Sequence, residues 1–240
     1  MKKYNYHLIL GSSKSIGLEL TKNLLKNKNN FVIGVSRSSN KIEHSNYIEI
    51  NCDLYKYSSY KKIKDHLNKN KIKYINNILI SIRDRSKIKN NLEREFKILI
   101  FNPLKFINSL KEHNFFNLKN TNSVVFIGSA LDSSLSSFAN INYLLPRQSL
   151  KYFIESMAYD HKDINLRFFC LSPFIFVKEE NKKNLTLNND LVKKINKYSN
   201  YKLISSHEIS EIIKFLFSNK SNLLNGQTIT IDGNVLKRLK

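Results

Sequence analysis

Cysteine and glycine are both scarce in this chain of 240 residues, with two of the first and six of the second. Cys52 and Cys170 each fall in a stretch that reads as strand. Two such residues give neither a disulfide framework nor a metal cluster, and they are expected as buried free thiols in a reducing cytoplasm. Long apolar runs are absent too. Nothing approaches the ~20 consecutive apolar residues of a membrane span. The apolar run before Gly11 is too short for a secretory signal, so neither membrane insertion nor export is expected. Acids are the minority charge: 19 Asp and Glu face 40 Lys and Arg, for a net charge of +21. Charge on that scale can signal nucleic acid or an anionic surface. Here the lysines are scattered over nearly every helix and loop, among many Asn and Ile, and no nucleic-acid motif accompanies them. The reading is a basic, solvated surface with no specific nucleic-acid partner. With 41% hydrophobic residues, the length suits one α/β domain with a full core.

The most informative stretch runs from His7 to Gly17. A short apolar run (Leu8, Ile9, Leu10) ends in Gly11. A polar turn follows, and Ile16-Gly17 opens an amphipathic segment with Leu18, Leu20, Leu24 and Leu25. This is strand, tight turn, helix. Such a turn presents free N–H groups at a helix N-terminus, where a phosphate can sit. Phe31–Val35 is a second buried strand, so the first βαβ unit is parallel. The alternation continues. Strands are expected at Tyr47–Cys52, Ile75–Ile80, Ser123–Gly128 and Asn165–Leu171, with a last one before Asp232-Gly233. Helices are expected at Tyr60–Asn70, at Leu92–His113 with a bend at Pro103, from Tyr143 onward, and at Ser206–Ser218 with Ser206 as N-cap. The fold class expected is α/β: a single doubly wound Rossmann-type domain over residues 1–240. Its parallel sheet should have about seven strands, with helices on both faces. The polar stretch 178–205 reads as a substrate lid.

Three groups of residues carry a family resemblance. Gly11, Ser15 and Gly17 stand as G-x-x-x-S-x-G. Ile127-Gly128-Ser129 ends a strand and is followed by Tyr143-x-x-x-Arg147. Asn225-Gly226 and Asp232-Gly233 bracket the final strand. Together they resemble the short-chain dehydrogenases/reductases over essentially the whole chain. Ser15 replaces a family glycine and Arg147 the family lysine. Gly11, Gly17, Gly226 and Gly233, four of the six glycines, fall where that pattern wants them.

The resemblance implies an NADP(H) site. Gly11, Ser13, Lys14, Ser15, Ile16 and Gly17 would cradle its phosphates. Lys14 and Arg37 would meet the 2′-phosphate, because no acid follows the second strand to bind a ribose hydroxyl. Asp53-Leu54 would cap the adenine. Asp53 could equally be a helix N-cap. Ser81-Ile82-Arg83-Asp84 replaces an Asn-Asn-Ala-Gly turn, which moves Arg83 toward a phosphate or ribose. Pro173, followed by Phe174 where the family has glycine, would lie beside the nicotinamide.

The chemistry implied is interconversion of a carbonyl and a hydroxyl on a small molecule. A carbonyl receiving hydride develops oxyanion character, and a phenol can donate a proton to it. Tyr143 would be that donor or acceptor. Ser129 would bind the substrate oxygen, and Asn102 would hold a water relay. Arg147 would depress the Tyr143 pKa and touch the ribose, although arginine is bulkier and planar and the exchange for lysine is not conservative. The family usually assembles as homodimers or homotetramers through its long fourth and fifth helices. The departures at Ser15, Ser81–Asp84, Arg147 and Phe174 carry the alternative, a protein that binds cofactor or a partner without turnover.

Overall fold

Within each strand, alternate side chains belong to different cores. In β1 (Asn5–Leu10) Leu8 and Leu10 pack into one cluster and Ile9 into another, and all three are fully buried. The same split recurs in β4 (Asn77–Ile80), β5 (Asn122–Ile127) and β6 (Leu166–Pro173). Strands buried on both faces belong in the middle of a parallel sheet covered by helices on each side. The structure is a computed structural model that describes residues 4–83, 91–117, 120–131, 140–162, 165–174, 176–177 and 204–233.

The other sheet strands are β2 (Asn30–Ser36), β3 (Tyr47–Asn51) and β9 (Thr228–Ile231). The sheet has seven strands in the order β3-β2-β1-β4-β5-β6-β9, and every neighbouring pair is parallel. Two further strands, β7 (Phe176–Val177) and β8 (Ile204–Ser205), pair with each other in parallel. On one face lie α1 (Ser15–Leu25) and α6 (Ser206–Phe217), which bury Ile16, Leu20, Leu24, Ile209, Ile213 and Leu216. On the other lie α2 (Ser58–Lys69), α4 (Asn102–Glu112) and α5 (Ile141–Asp160), which bury Ile63, Leu67, Phe106, Leu110, Leu150 and Ile154. This is the expected α/β, doubly wound architecture. The chain order reverses between β1 and β4, and a crevice opens there outside the carboxyl ends of the strands. Among the described residues no helix is long and apolar enough to cross a membrane.

Several expected boundaries shift. The segment expected as one helix over Leu92–His113 is three pieces: α3 (Leu92–Phe96), a π-helical turn at Lys97–Phe101, and α4. Pro103 has no N–H to give the carbonyl one α-turn back, and the backbone widens before it. The Asn102 N–H accordingly reaches the Lys97 carbonyl. α6 is capped by Ser205, not Ser206. Ser205 Oγ accepts the Glu208 N–H while the Glu208 carboxylate accepts the Ser205 N–H, a complete capping box. α5 starts two residues before Tyr143, on an Asn140 cap. Asp53 does not cap α2. Tyr57 holds that position, and the Asp53 carboxylate accepts the Tyr55 N–H at 3.2 Å. The expected lid at 178–205 lies outside the described residues except for Ile204 and Ser205 of β8.

His7 sits inside β1 with its ring stacked on Phe217, 5.8 Å between centroids. Burial drives its pKa down to about 4. The folded chain therefore resists the proton that the unfolded chain takes up below the ordinary histidine value of ~6.5. Stability is full above that value and falls as the pH drops toward about 4, where the folded state also protonates. Urea unfolding at pH 7.5 and pH 5 checks this. The wild type should lose about 2 kcal/mol from His7 alone, and His7→Gln should lose that much less. An equal acid loss in both would refute the assignment.

Candidate active site

The turn after β1 is built by backbone contact. Gly11 has φ +99°, and a Cβ there would overlap the Ser81 carbonyl at the end of β4. A Cβ on Gly17 would overlap the Gly11 carbonyl, so α1 can cross the end of β1 only with glycine at that position. The Gly11 and Ser12 N–H groups donate to the Val35 carbonyl at 2.8 and 3.2 Å and tie the turn to β2. Ser15 stands where the family pattern has glycine and is left-handed, with φ 55°. Lys14 occupies the N-cap of α1 in extended conformation. It gives no side-chain cap, and no acid lies in the first turn. The buried Ser15 Oγ has no hydrogen-bond partner among the described residues.

These features converge on a cleft of about 480 Å³ at the carboxyl ends of the strands. Gly11, Ser13, Lys14, Ser15 and Ile16 form one wall. Ser36, Arg37 and Ser38 follow β2, and Cys52, Asp53, Leu54 and Tyr55 follow β3. Ser81, Ile82 and Arg83 follow β4, and Gly128 follows β5. Pro173 ends β6 and Phe174 follows it, while Tyr143 and Arg147 come from α5. An uncapped helix N-terminus, a glycine cradle and an orphaned hydroxyl suit a phosphate. Lys14 and Arg37 supply charge for a second one. Burial pushes the Cys52 thiol above its ordinary value, and both cysteines are free. Among the described residues no cluster of His, Cys, Asp or Glu could hold a metal ion.

Arg147 is the centre of the Tyr143 end of the cleft. Its guanidinium lies over the Tyr143 ring, 3.7 Å from Cζ to centroid. Nη1 donates to the Tyr143 carbonyl and to Glu95 Oε2, each at 3.0 Å. The ion pair is largely buried, with side-chain exposures of 4% and 13%. The guanidinium thus lies on the ring face, with a carboxylate beside it. That differs from the free cation the spacing alone implies. Arg83 approaches Tyr143 as well, 5.8 Å from Cζ to the ring centroid.

Three expected site residues are off the cleft wall. Gly17 lies beneath it as the crossing point of α1. Asn102 is buried, and its amide donates to the carbonyls of Tyr55 (2.8 Å) and Leu54 (3.3 Å). It pins the loop that carries Asp53–Tyr55 into the cleft, and its amide nitrogen is committed to that loop. Ser129 is buried, and its Oγ accepts the Leu131 N–H at 3.3 Å. Residues 132–139 and 175, which flank this end of the cleft in sequence, lie outside the described residues. Sequence reasoning missed Tyr55, Arg94 and Glu95. Glu95 is 52 positions from Arg147. Its only signal is that an arginine on the inner face of α5 requires an acid from elsewhere.

No family model matches the sequence, and no curated protein matches it. Solved structures do. A short chain dehydrogenase family protein from Francisella tularensis is 23% identical, with TM-score 0.76 over 98% of this chain and 99% of its own. L-sorbose reductase from Gluconobacter frateurii, solved with NADPH and L-sorbose, is 14% identical, with TM-score 0.80 over 99% of each chain. A 4-hydroxyisoleucine dehydrogenase, solved with NADH, is 17% identical, with TM-score 0.75 over 97% of this chain and 99% of its own. The chain has the fold of the short-chain dehydrogenases/reductases.

The Arg147–Glu95 pair makes a prediction. Removing one member of a buried pair leaves an unpaired charge, which typically costs about 3–5 kcal/mol. Glu95→Ala should lose ~3 kcal/mol in urea unfolding, and Glu95→Ala with Arg147→Met should recover much of it. Strictly additive losses in the double variant would show that the two residues do not depend on each other.

Proposed function

We propose that this chain is an NADP(H)-dependent oxidoreductase of the short-chain type, interconverting a carbonyl and a hydroxyl on a small molecule. The observation that carries the proposal is a single cleft lined both by the uncapped α1 turn and by Tyr143. The NADPH- and NADH-bound structures of the similar proteins support the class of cofactor. Gly11, Ser13, Ser15, Ile16 and the α1 N-terminus would hold the pyrophosphate. Lys14 and Arg37 would hold the 2′-phosphate, with no acid after β2 to prefer a bare ribose. Asp53 and Leu54 would meet the adenine, and Ser81 and Pro173 would border the nicotinamide end. When bound, the cofactor supplies or takes up a hydride.

The chain's own residues handle the proton. The Tyr143 hydroxyl gives a proton to the carbonyl oxygen in reduction and takes it back in oxidation. Ser129, next to Gly128 of the cleft wall, accepts the Leu131 N–H through Oγ and would donate its own hydroxyl proton to the substrate oxygen. Arg147 fixes the Tyr143 ring by stacking and through its bond to the Tyr143 carbonyl, and in this reading it faces the ribose. Asn102 is a positioning residue that acts through Leu54 and Tyr55. One observation favours a second reading, cofactor binding without turnover: Arg147 is already neutralised by Glu95.

The proposal extends to assembly and location. Ile141, Leu145, Tyr152 and Tyr159 are all exposed on α5. At about 100° per residue they fall within ~40° of one another around the helix. This apolar stripe supports a homodimer or homotetramer formed through α5. Two free thiols support a reducing cytoplasm.

Tyr143→Phe is the test. In assays of NADPH oxidation over a panel of aldehydes and ketones, the wild type should turn over at least one compound. The variant should be slower by about 10²–10⁴-fold with NADPH affinity unchanged. Reduction of nothing by a wild type that binds NADPH would favour the second reading. Unchanged turnover in Tyr143→Phe would remove that residue from the chemistry.

A further inference from the structure

The arginines of this chain are not alike. Arg147 is neutralised by Glu95. Arg167, buried at the start of β6, spends its guanidinium on oxygens of Ser123, Ser218, Ser221 and Asn222 and is structural. Arg83 differs from both. It is exposed, lines the cleft, and reaches to within 5.8 Å of the Tyr143 ring. No carboxylate among the described residues pairs with it. Arg94 lines the same cleft, with its guanidinium 3.8 Å over the ring of Tyr55. The residue after it is the Glu95 that holds Arg147, so α3 sits at the Tyr143 end.

The charge pattern along the cleft sharpens this. In the reading above, the anionic parts of the cofactor are met by the α1 N-terminus, Lys14 and Arg37. The nicotinamide end carries no phosphate, yet Arg83 brings a further guanidinium group to it. Among the described residues the one acid on the cleft wall is Asp53, assigned to the adenine end. A cleft with low-dielectric walls focuses such a field on whatever binds beside Tyr143. Guanidinium groups recognise carboxylates and phosphates through paired, charge-assisted N–H bonds, and an aromatic face beside the guanidinium helps to set its plane.

We infer that Arg83 forms an oxyanion subsite, and that the substrate is a carbonyl or hydroxyl compound carrying a carboxylate or phosphate. The inference rests on Tyr143 being the catalytic end of the cleft. Arg83 is a specificity residue. It anchors the anionic group and leaves the proton transfer to Tyr143.

The test is binding, so it does not require that the right substrate be known. Two matched pairs of probes serve: levulinate against its methyl ester, and dihydroxyacetone phosphate against dihydroxyacetone. Each is titrated calorimetrically, at one fixed ionic strength, into NADPH-loaded wild type, Arg83→Ala, Arg83→Lys and Lys61→Ala. The last removes one exposed charge from α2 and controls for the general positive field. The anionic member of at least one pair should bind about tenfold or more tightly than its neutral partner. Which pair shows the preference separates carboxylate from phosphate. The preference should collapse in Arg83→Ala, return in part in Arg83→Lys and persist in Lys61→Ala, with NADPH affinity equal in all four. Equal binding of charged and neutral probes by the wild type would overturn the inference. So would an Arg83→Ala variant that keeps the preference, or one that weakens NADPH instead, which would assign Arg83 to the cofactor. Failure of the wild type to bind NADPH is a failure of the cofactor reading. The same titrations on cofactor-free protein then decide the subsite.

Discussion

Everything in the cleft depends on how closely three backbone segments approach where β1 ends. The Gly11 carbonyl lies where a Gly17 side chain would begin, and the Ser81 carbonyl lies where a Gly11 side chain would begin. Two glycines let α1 cross the strand end and let β4 close against it. The helix N-terminus is thereby aimed into the crevice at which the strand order reverses. Lys14 leaves that terminus uncapped, so its N–H groups remain available. A larger residue at Gly17 would push α1 off the sheet and take the turn, the buried Ser15 hydroxyl and Lys14 with it.

Charge organises the opposite end. The family pattern has lysine four residues after the tyrosine, and this chain has arginine. A guanidinium at that buried position needs a counter-charge, and Glu95 of α3 provides it at 3.0 Å. The buried arginine therefore depends on a residue of a second helix. Pro103 makes α3 a separate piece. The π-helical turn before Pro103 divides α3 from α4, and α3 carries Glu95 to Arg147 and Arg94 to Tyr55. Three of the cations on the cleft, Lys14 and Arg37 at one end and Arg83 at the other, are the ones the proposals use.

Much of this was legible in the sequence because it is local. Apolar runs bounded by turn residues located six of the seven strands of the sheet, the family resemblance located the last, and Gly11, Lys14 and Gly17 marked the turn. Arg37 was legible because it follows a strand directly. What stayed hidden is what requires distant or one-residue information. Ser205 and Ser206 are chemically identical as cap candidates, and only the reach of Glu208 separates them. Asn102 lies in the right helix for a relay, but tertiary contacts aim its amide at the Leu54 and Tyr55 carbonyls. Glu95 has no periodic or motif signal that points at Arg147. Tyr55 enters the cleft through a loop whose path is set by Asn102.

The measurement that tests the central claim most directly is a fluorescence titration of NADPH and of NADH into the wild type and Arg37→Ala. If the α1 turn is a dinucleotide seat read by Lys14 and Arg37, NADPH binds at least about tenfold more tightly than NADH. Arg37→Ala then brings the two close to parity while NADH binding is unchanged. Equal affinity for both in the wild type would contradict the assignment of the cations. Binding of neither would contradict the seat itself and leave a fold turned to other use.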